Sequence, residues 1–235
     1  MADARTGNRI LDALPYSEAD RFLALTGRAP FEPHDLLYGP GDRIGRIYFP
    51  LEGVISLMTP TDEGNWVETA TVGNEGMVGI PVLLGGRSIG NGQAIAQISG
   101  EAITIGADRF RAYVDSDGKL RQILFGYAQA LFAQISQSVA CNGVHPIQER
   151  CARWLLESHD RVSTDEFNLT QEFLADMLAV QRPSVSVAAR ALQQAGLIRY
   201  TRGRIVVLDR EGLEAASCGC YRSARAEYER LVPLT

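Results

Sequence analysis

Between Pro33 and Ala107 the apolar positions come in short runs broken by glycine: Leu36-Leu37-Tyr38, Gly45 to Phe49, Gly53 to Met58, Trp66 to Val72, Ala94 to Ile98 and Glu101 to Ile105. Many short β-rich runs with turns at regular intervals predict an all-β sandwich or barrel. Asp62-Glu63-Gly64-Asn65 lies between two of them and predicts a hairpin loop. Ahead of this region, Ser17 to Leu25 reads as a short, capped amphipathic helix. After Asp115-Ser116-Asp117-Gly118 the period changes. Leu120, Leu124, Tyr127, Leu131, Ile135 and Val139 follow at spacings of 4, 3, 4, 4 and 4, with Gly126 the only break before about Cys141. That is one apolar stripe along a long helix. Part of it packs on the β region, where Ile123, Phe125 and Phe132 widen the apolar surface; as a seam it also suits parallel pairing with a second copy, so the stripe is the expected dimer interface.

Asn142-Gly143-Val144-His145-Pro146 then reads as a hinge, since proline stops the helix continuing unbroken, and a new helix runs from Ile147 to about His159. Thr170 caps a short helix whose apolar residues are Leu174, Met177 and Leu178. Ala179-Val180-Gln181-Arg182 makes a tight turn, and Pro183 suits the first position of a second helix ending at Gly196. The inward face of that helix is Val185, Ala188, Ala189 and Leu192; Ser184, Ser186, Val187 and Arg190 point outward. Leu197 to Tyr200 and Ile205 to Leu208 form a hairpin around Thr201-Arg202-Gly203-Arg204. A two-helix corner followed by a hairpin with arginines at its tip is a winged helix-turn-helix, and its outward helical face fits a DNA major groove.

Charge sharpens that reading. The chain of 235 residues has a formal net charge of -5, yet from Leu169 to Ile205 the basic side chains Arg182, Arg190, Arg199, Arg202 and Arg204 face only Glu172 and Asp176. A local basic patch on an acidic protein is a footprint for phosphate and favours site-specific binding over general coating of nucleic acid. With 46% hydrophobic and 22% charged residues the chain can bury two cores. Lacking a membrane-length apolar run or a secretion signal, it is expected in the cytoplasm, without membrane contact. The four cysteines, Cys141, Cys151, Cys218 and Cys220, lack zinc-finger spacing, so no metal is expected. His145 reads as a hydrogen-bonding residue of the hinge, and Cys218-Gly219-Cys220 as a surface thiol pair. No nucleophile has a recognisable base in a known motif and no phosphate-cradling glycine loop occurs, so an enzyme is not expected.

The order of parts, with Leu169-Thr170-Gln171-Glu172 and Arg182-Pro183-Ser184-Val185-Ser186, resembles the Crp/Fnr transcription regulators over nearly the whole chain. The resemblance implies an α+β fold in three parts: a jelly-roll-like β-roll related to cyclic-nucleotide-binding domains over 1–116, a dimerisation helix and hinge over 117–143, and a winged helix-turn-helix over 144–235. It implies a homodimer that reads a two-fold site in double-stranded DNA with the 183–195 helix, with RNA polymerase as a further partner. A regulatory module acting on a protein partner is the alternative use of such a roll. Thr170, Gln171, Arg182, Pro183, Ser184, Ser186, Val187, Arg190, Arg202 and Arg204 are the DNA-binding candidates. Where the family opens its reading helix with Arg-Glu and adds a second arginine, this chain has Arg182-Pro183 and Val187, so its base preference differs. Gly73 to Gly85 matches the nucleotide cassette, which makes Gly79, Ile80, Arg87, Gly90 and Asn91 the effector-pocket candidates. Ile80 stands where cyclic-AMP binders place the ribose-bonding glutamate, and Gly90-Asn91 where they place the phosphate-bonding Arg-Ser. Cyclic AMP is therefore not the expected effector, although Arg87 could serve as a displaced phosphate ligand. The iron–sulfur members carry N-terminal cysteines, whereas the first cysteine here is Cys141, so no such cluster is expected; nor is haem, since Pro15, Pro30 and His34 have no cysteine in the roll beside them. The implied mechanism is a population shift in which a signal in the roll repacks the long helix near Ala130 to Asn142 and reorients the reading heads about Gly143.

Overall fold

The computed structural model describes residues 6–85, 92–116 and 118–232, so Arg87, Gly90 and Asn91 lie outside the described residues. Two short helices, α1 (Arg9–Asp12) and α2 (Tyr16–Leu23), precede the roll. The expected cap at Ser17 is not used: α2 starts one residue earlier, after Pro15, whose ring fixes φ at a value suited to a helix entry.

The roll is built from β1 (Gly27–Phe31), β2 (Leu36–Tyr38), β3 (Arg46–Pro50), β4 (Val54–Pro60), β5 (Trp66–Val72), β6 (Gln93–Ile98) and β7 (Gly100–Gly106), with α3 (Ile80–Leu83) between β5 and β6. One sheet has the order β1-β7-β3 and the other β2-β6-β4-β5, all pairs antiparallel. Side chains from both sheets, among them Ile47, Phe49, Ile55, Val72 and Ile103, meet in one core with Met77 of the segment between β5 and α3. β1 escapes the alternation rule because it contains Pro30; as an edge strand it can carry a residue with no ladder donor.

After α4 (Ala107–Ser116) comes the long helix α5 (Gly118–Val144). Here the expected dimer stripe is corrected. Leu120, Leu124 and Tyr127 are fully buried in the roll's own core, Leu131 is 4% exposed and Ile135 packs against the same core. A side chain with no free surface cannot meet a second copy. Of the stripe Ile135 is half-buried and Val139 is open, and Val139 with Phe125 and Phe132 forms an exposed row on a different face, at 69%, 50% and 71% exposure. The two faces share one helical period, so spacing alone could not separate them.

The remainder comprises α6 (Ile147–His159), β8 (Glu166–Asn168), α7 (Gln171–Leu178), α8 (Arg182–Gln194), β9 (Ile198–Thr201), β10 (Arg204–Val207), α9 (Arg210–Ala216) and α10 (Cys220–Leu231). A second core joins α6, α7, α8 and the hairpin to Val54, Met58 and Ile98 on the roll's four-stranded sheet, so the C-terminal part is packed onto the roll. α10 leaves that layer and returns to α5: Tyr228 and Val232 are buried in the first core, and Tyr228 Oη donates to Gln134 Oε1 at 3.0 Å. Gly126 is explained by this return, because a Cβ there would stand 2.5 Å from the Leu231 carbonyl oxygen. The expected surface pair Cys218 and Cys220 is buried instead, in a cluster with Cys141. Cys151 sits apart in the second core.

At the junction, Arg161 makes a two-pronged ion pair with Glu75, at 2.7 and 3.0 Å, and donates to Thr71 Oγ1 at 2.8 Å. Glu68 on β5 receives the Ser56 hydroxyl, Gln97 Nε2 at 2.9 Å and the Trp154 indole N–H at 2.9 Å. Burial pushes the Glu68 carboxyl up to about 7 despite these donors.

Candidate nucleic-acid interface

Thr170 accepts from the Phe173 amide at 3.2 Å and opens α7, whose Leu174, Ala175, Met177 and Leu178 are buried. Ala179 ends it in the left-handed region at φ 51°, which turns the chain sharply into α8. α8 begins at Arg182, with Pro183 in its first turn, and buries Val185, Ala188, Ala189 and Leu192, the four residues expected inward. It closes with a doubly bonded end: Leu197 N–H donates to Leu192 O and Gly196 N–H to Gln193 O, with Gly196 at φ 75°. The wing follows as β9 and β10 joined by Arg202-Gly203, both at positive φ (51° and 78°), as a two-residue turn matched to strand twist requires. β8 adds a third strand to the wing through β10; its three residues are too few to carry a pattern.

On this frame Arg182, Arg190, Arg199, Arg202 and Arg204 are all exposed, as is Pro183, and Val187 is 70% exposed at the middle of α8. An open valine between arginines has no packing purpose in the chain itself. Ser184 is half-buried, and Ser186 is less free than expected: its hydroxyl donates to Gln171 Oε1 at 2.7 Å, bracing α8 against α7. Arg204 pairs with Glu166 across the wing at 3.0 Å, but both side chains are largely exposed, so the pair is weak and can yield to a phosphate.

The roll contains a cavity of about 220 Å³ lined by Tyr38, Leu57, Met58, Thr59, Thr69, Met77, Gly79, Ile80, Pro81, Gly92, Gln93, Leu131 and Ile135. Gly79 enters α3 at φ 115° and half-buried Ile80 follows it, so both described candidates of the cassette reach the cavity. Among the described residues its wall has no charged side chain. Two of its walls, Leu131 and Ile135, belong to α5.

Residues 28–117 match the family model for a cyclic nucleotide-binding domain, and residues 149–216 match that for a Crp-like helix-turn-helix domain. The chain belongs to the Crp/Fnr family of transcription regulators. Among solved structures this Crp/Fnr regulator is similar to a Crp/Fnr-family protein from Eubacterium rectale (18% identity, 90% of this chain and 99% of that one, TM-score 0.66). It is also similar to FixK2 from Bradyrhizobium japonicum (17%, 83% and 98%, TM-score 0.66) and to a CRP-family transcriptional regulator from Thermus thermophilus (21%, 80% and 96%, TM-score 0.66). The comparison with curated protein sequences gives no match. At such identities the neighbours establish the fold, and the joined family models establish a DNA-binding regulator. No helix among the described residues of this regulator is long and apolar enough to cross a membrane.

Sequence reasoning missed Phe125 and Phe132 as an exposed row, Glu68 as the hub of the junction, and the meeting of Cys141, Cys218 and Cys220. The first had a signal, since Phe125, Phe132 and Val139 recur every seven residues. The other two join residues far apart in the chain, which no local pattern marks.

Proposed function

We propose that this regulator acts as a homodimer joined along α5 through Phe125, Phe132 and Val139, and that each α8 reads one half of a two-fold DNA site. The row of exposed apolar side chains at seven-residue spacing carries this reading: it is the spacing at which two parallel helices keep one seam in contact. Arg182 stands at the opening of α8 to meet a guanine edge, and Val187 to touch a thymine methyl. Ser184 bonds phosphate or a base edge, and Arg190, Arg202 and Arg204 neutralise the backbone. Thr170 and Gln171 hold the front of α7 at the same strand of phosphates.

The cavity in the roll takes a small effector that is predominantly apolar and uncharged, since an anionic phosphate there would meet Ile80, Met77 and Leu57. Leu131 and Ile135 form its wall on one face of α5 while Phe132 and Val139 stand on another, so occupancy reaches the seam through one rigid element. Sedimentation velocity tests the seam. The wild type sediments as a dimer and Phe132→Glu as a folded monomer that has lost DNA affinity; a Phe132→Glu protein that remains dimeric overturns it. Cyclic AMP is expected to leave the melting temperature unchanged, and a saturable rise contradicts the uncharged-effector reading.

A further inference from the structure

Four potential metal ligands converge where the long helix ends. Cys141 lies in the last turn of α5 and His145 just beyond it; Cys218 and Cys220 flank Gly219 at the start of α10. One ligand atom from each lies within 4.8 Å of all the others. Cys141 Sγ is 3.5 Å from Cys218 Sγ, and Cys220 Sγ is 3.5 Å from His145 Nδ1. The three cysteines are buried and His145 half-buried.

We propose that Cys141, His145, Cys218 and Cys220 form a tetrahedral zinc site that clamps the start of α10 to the end of the dimer helix. Zinc bonds of about 2.3 Å to sulfur and about 2.0–2.1 Å to nitrogen place tetrahedral ligand atoms roughly 3.5–3.8 Å apart. The two closest pairs already have that spacing, and the widest one has to shorten by roughly 1 Å. Three thiolates with one imidazole form a closed set that soft, borderline Zn²⁺ accepts in structural sites. Four ligand atoms converging on one point suit a single ion, whereas an iron–sulfur cluster holds its cysteines apart around several irons.

Binding replaces three thiol protons, which leave to solvent, and gives the site a net charge of -1 from three thiolates and one Zn²⁺. That charge has counterparts. The guanidinium groups of Arg150 and Arg153 on α6 both interact electrostatically with Cys141 and Cys218. Buried Nε atoms of Arg150 and Arg153 are without hydrogen-bond partners. Gln137 Nε2 donates to Cys220 Sγ at 3.0 Å, an outer contact of the kind that orients a ligand. Cys220 also begins a helix of 12 residues, whose positive end stabilises a thiolate.

The test is metal content and spectrum of the full-length, untagged protein. Wild type purified with zinc in the medium is expected to carry about one zinc per chain. Cys218→Ser is expected to lose at least tenfold of that occupancy while keeping its helical circular dichroism. Metal-free wild type, titrated with Co²⁺, should show tetrahedral thiolate bands that zinc abolishes, a readout that does not depend on any variant folding. Undiminished zinc in Cys218→Ser, iron with sulfide in place of zinc, a Cys141–Cys218 disulfide, or wild type that takes up neither Zn²⁺ nor Co²⁺ overturns the proposal. None of these readouts uses DNA, so the site and the proposed operator reading stand or fall separately.

Discussion

The outer face of the reading head and its junction with the roll are both rich in arginine and use it in opposite ways. Arg182, Arg190 and Arg202 stand in solvent with no carboxylate bonded to them among the described contacts, whereas Arg150, Arg153 and Arg161 are 6%, 8% and 6% exposed. On α8 each arginine shares the helix with a buried stripe on the opposite side. α6 is buried on every side from Arg150 to Ser158, and its cations survive there because Glu157 and Leu178 O take their N–H groups. The same side chain thus stands open to solvent where the fold supplies no partner and becomes a lock where it does. Burying charge is tolerable only when it is paired and hydrogen-bonded.

That contrast can be broken from either side. Glu75→Ala leaves Arg161 buried without its partner and should cost about 3–5 kcal/mol in urea unfolding; a loss near zero would mean that the junction arginine is no lock. Arg182→Ala should weaken operator binding by about 1–3 kcal/mol and relax one position in each half-site, with unfolding unchanged; equal loss of stability would move Arg182 into the locked class. Arg202→Ala should weaken all DNA sequences alike and lower the salt slope of log affinity by about 1, as titration at several salt concentrations will show. A pH-dependent effect on stability is expected at Glu68. Its folded pKa is raised from 4.5 to about 7 by burial, so the folded state binds the extra proton. Stability therefore falls as pH rises from 4.5 through 7 and levels above it. Glu68→Gln should flatten that slope in thermal melts at constant salt.

Much of the reading head was legible because its function requires exposed residues on a locally amphipathic frame. Val185, Ala188, Ala189 and Leu192 mark the inside of α8, so Val187 and Arg190 fall outside by the helical period alone. The strands of the roll were legible for a similar reason, except β1 with Pro30, and in the wing the three residues of β8 were too few to show a pattern. α5 defeated the same logic. It is apolar on two faces, one consumed by the roll and one left open, and periodicity cannot say which is which. The cavity resists reading because Leu57, Met77 and Leu131 pack and line it at once. The cysteine–histidine cluster escaped because α10 must fold back across the molecule before Cys218 and Cys220 reach Cys141.

The most direct test of the account is selection of bound duplexes from a randomised pool by the purified full-length protein. Two reading heads joined through α5 should enrich a two-fold sequence whose half-site centres lie about 10–10.5 bp apart, one helical turn. Enrichment of a lone half-site, or of no sequence at all, would contradict it.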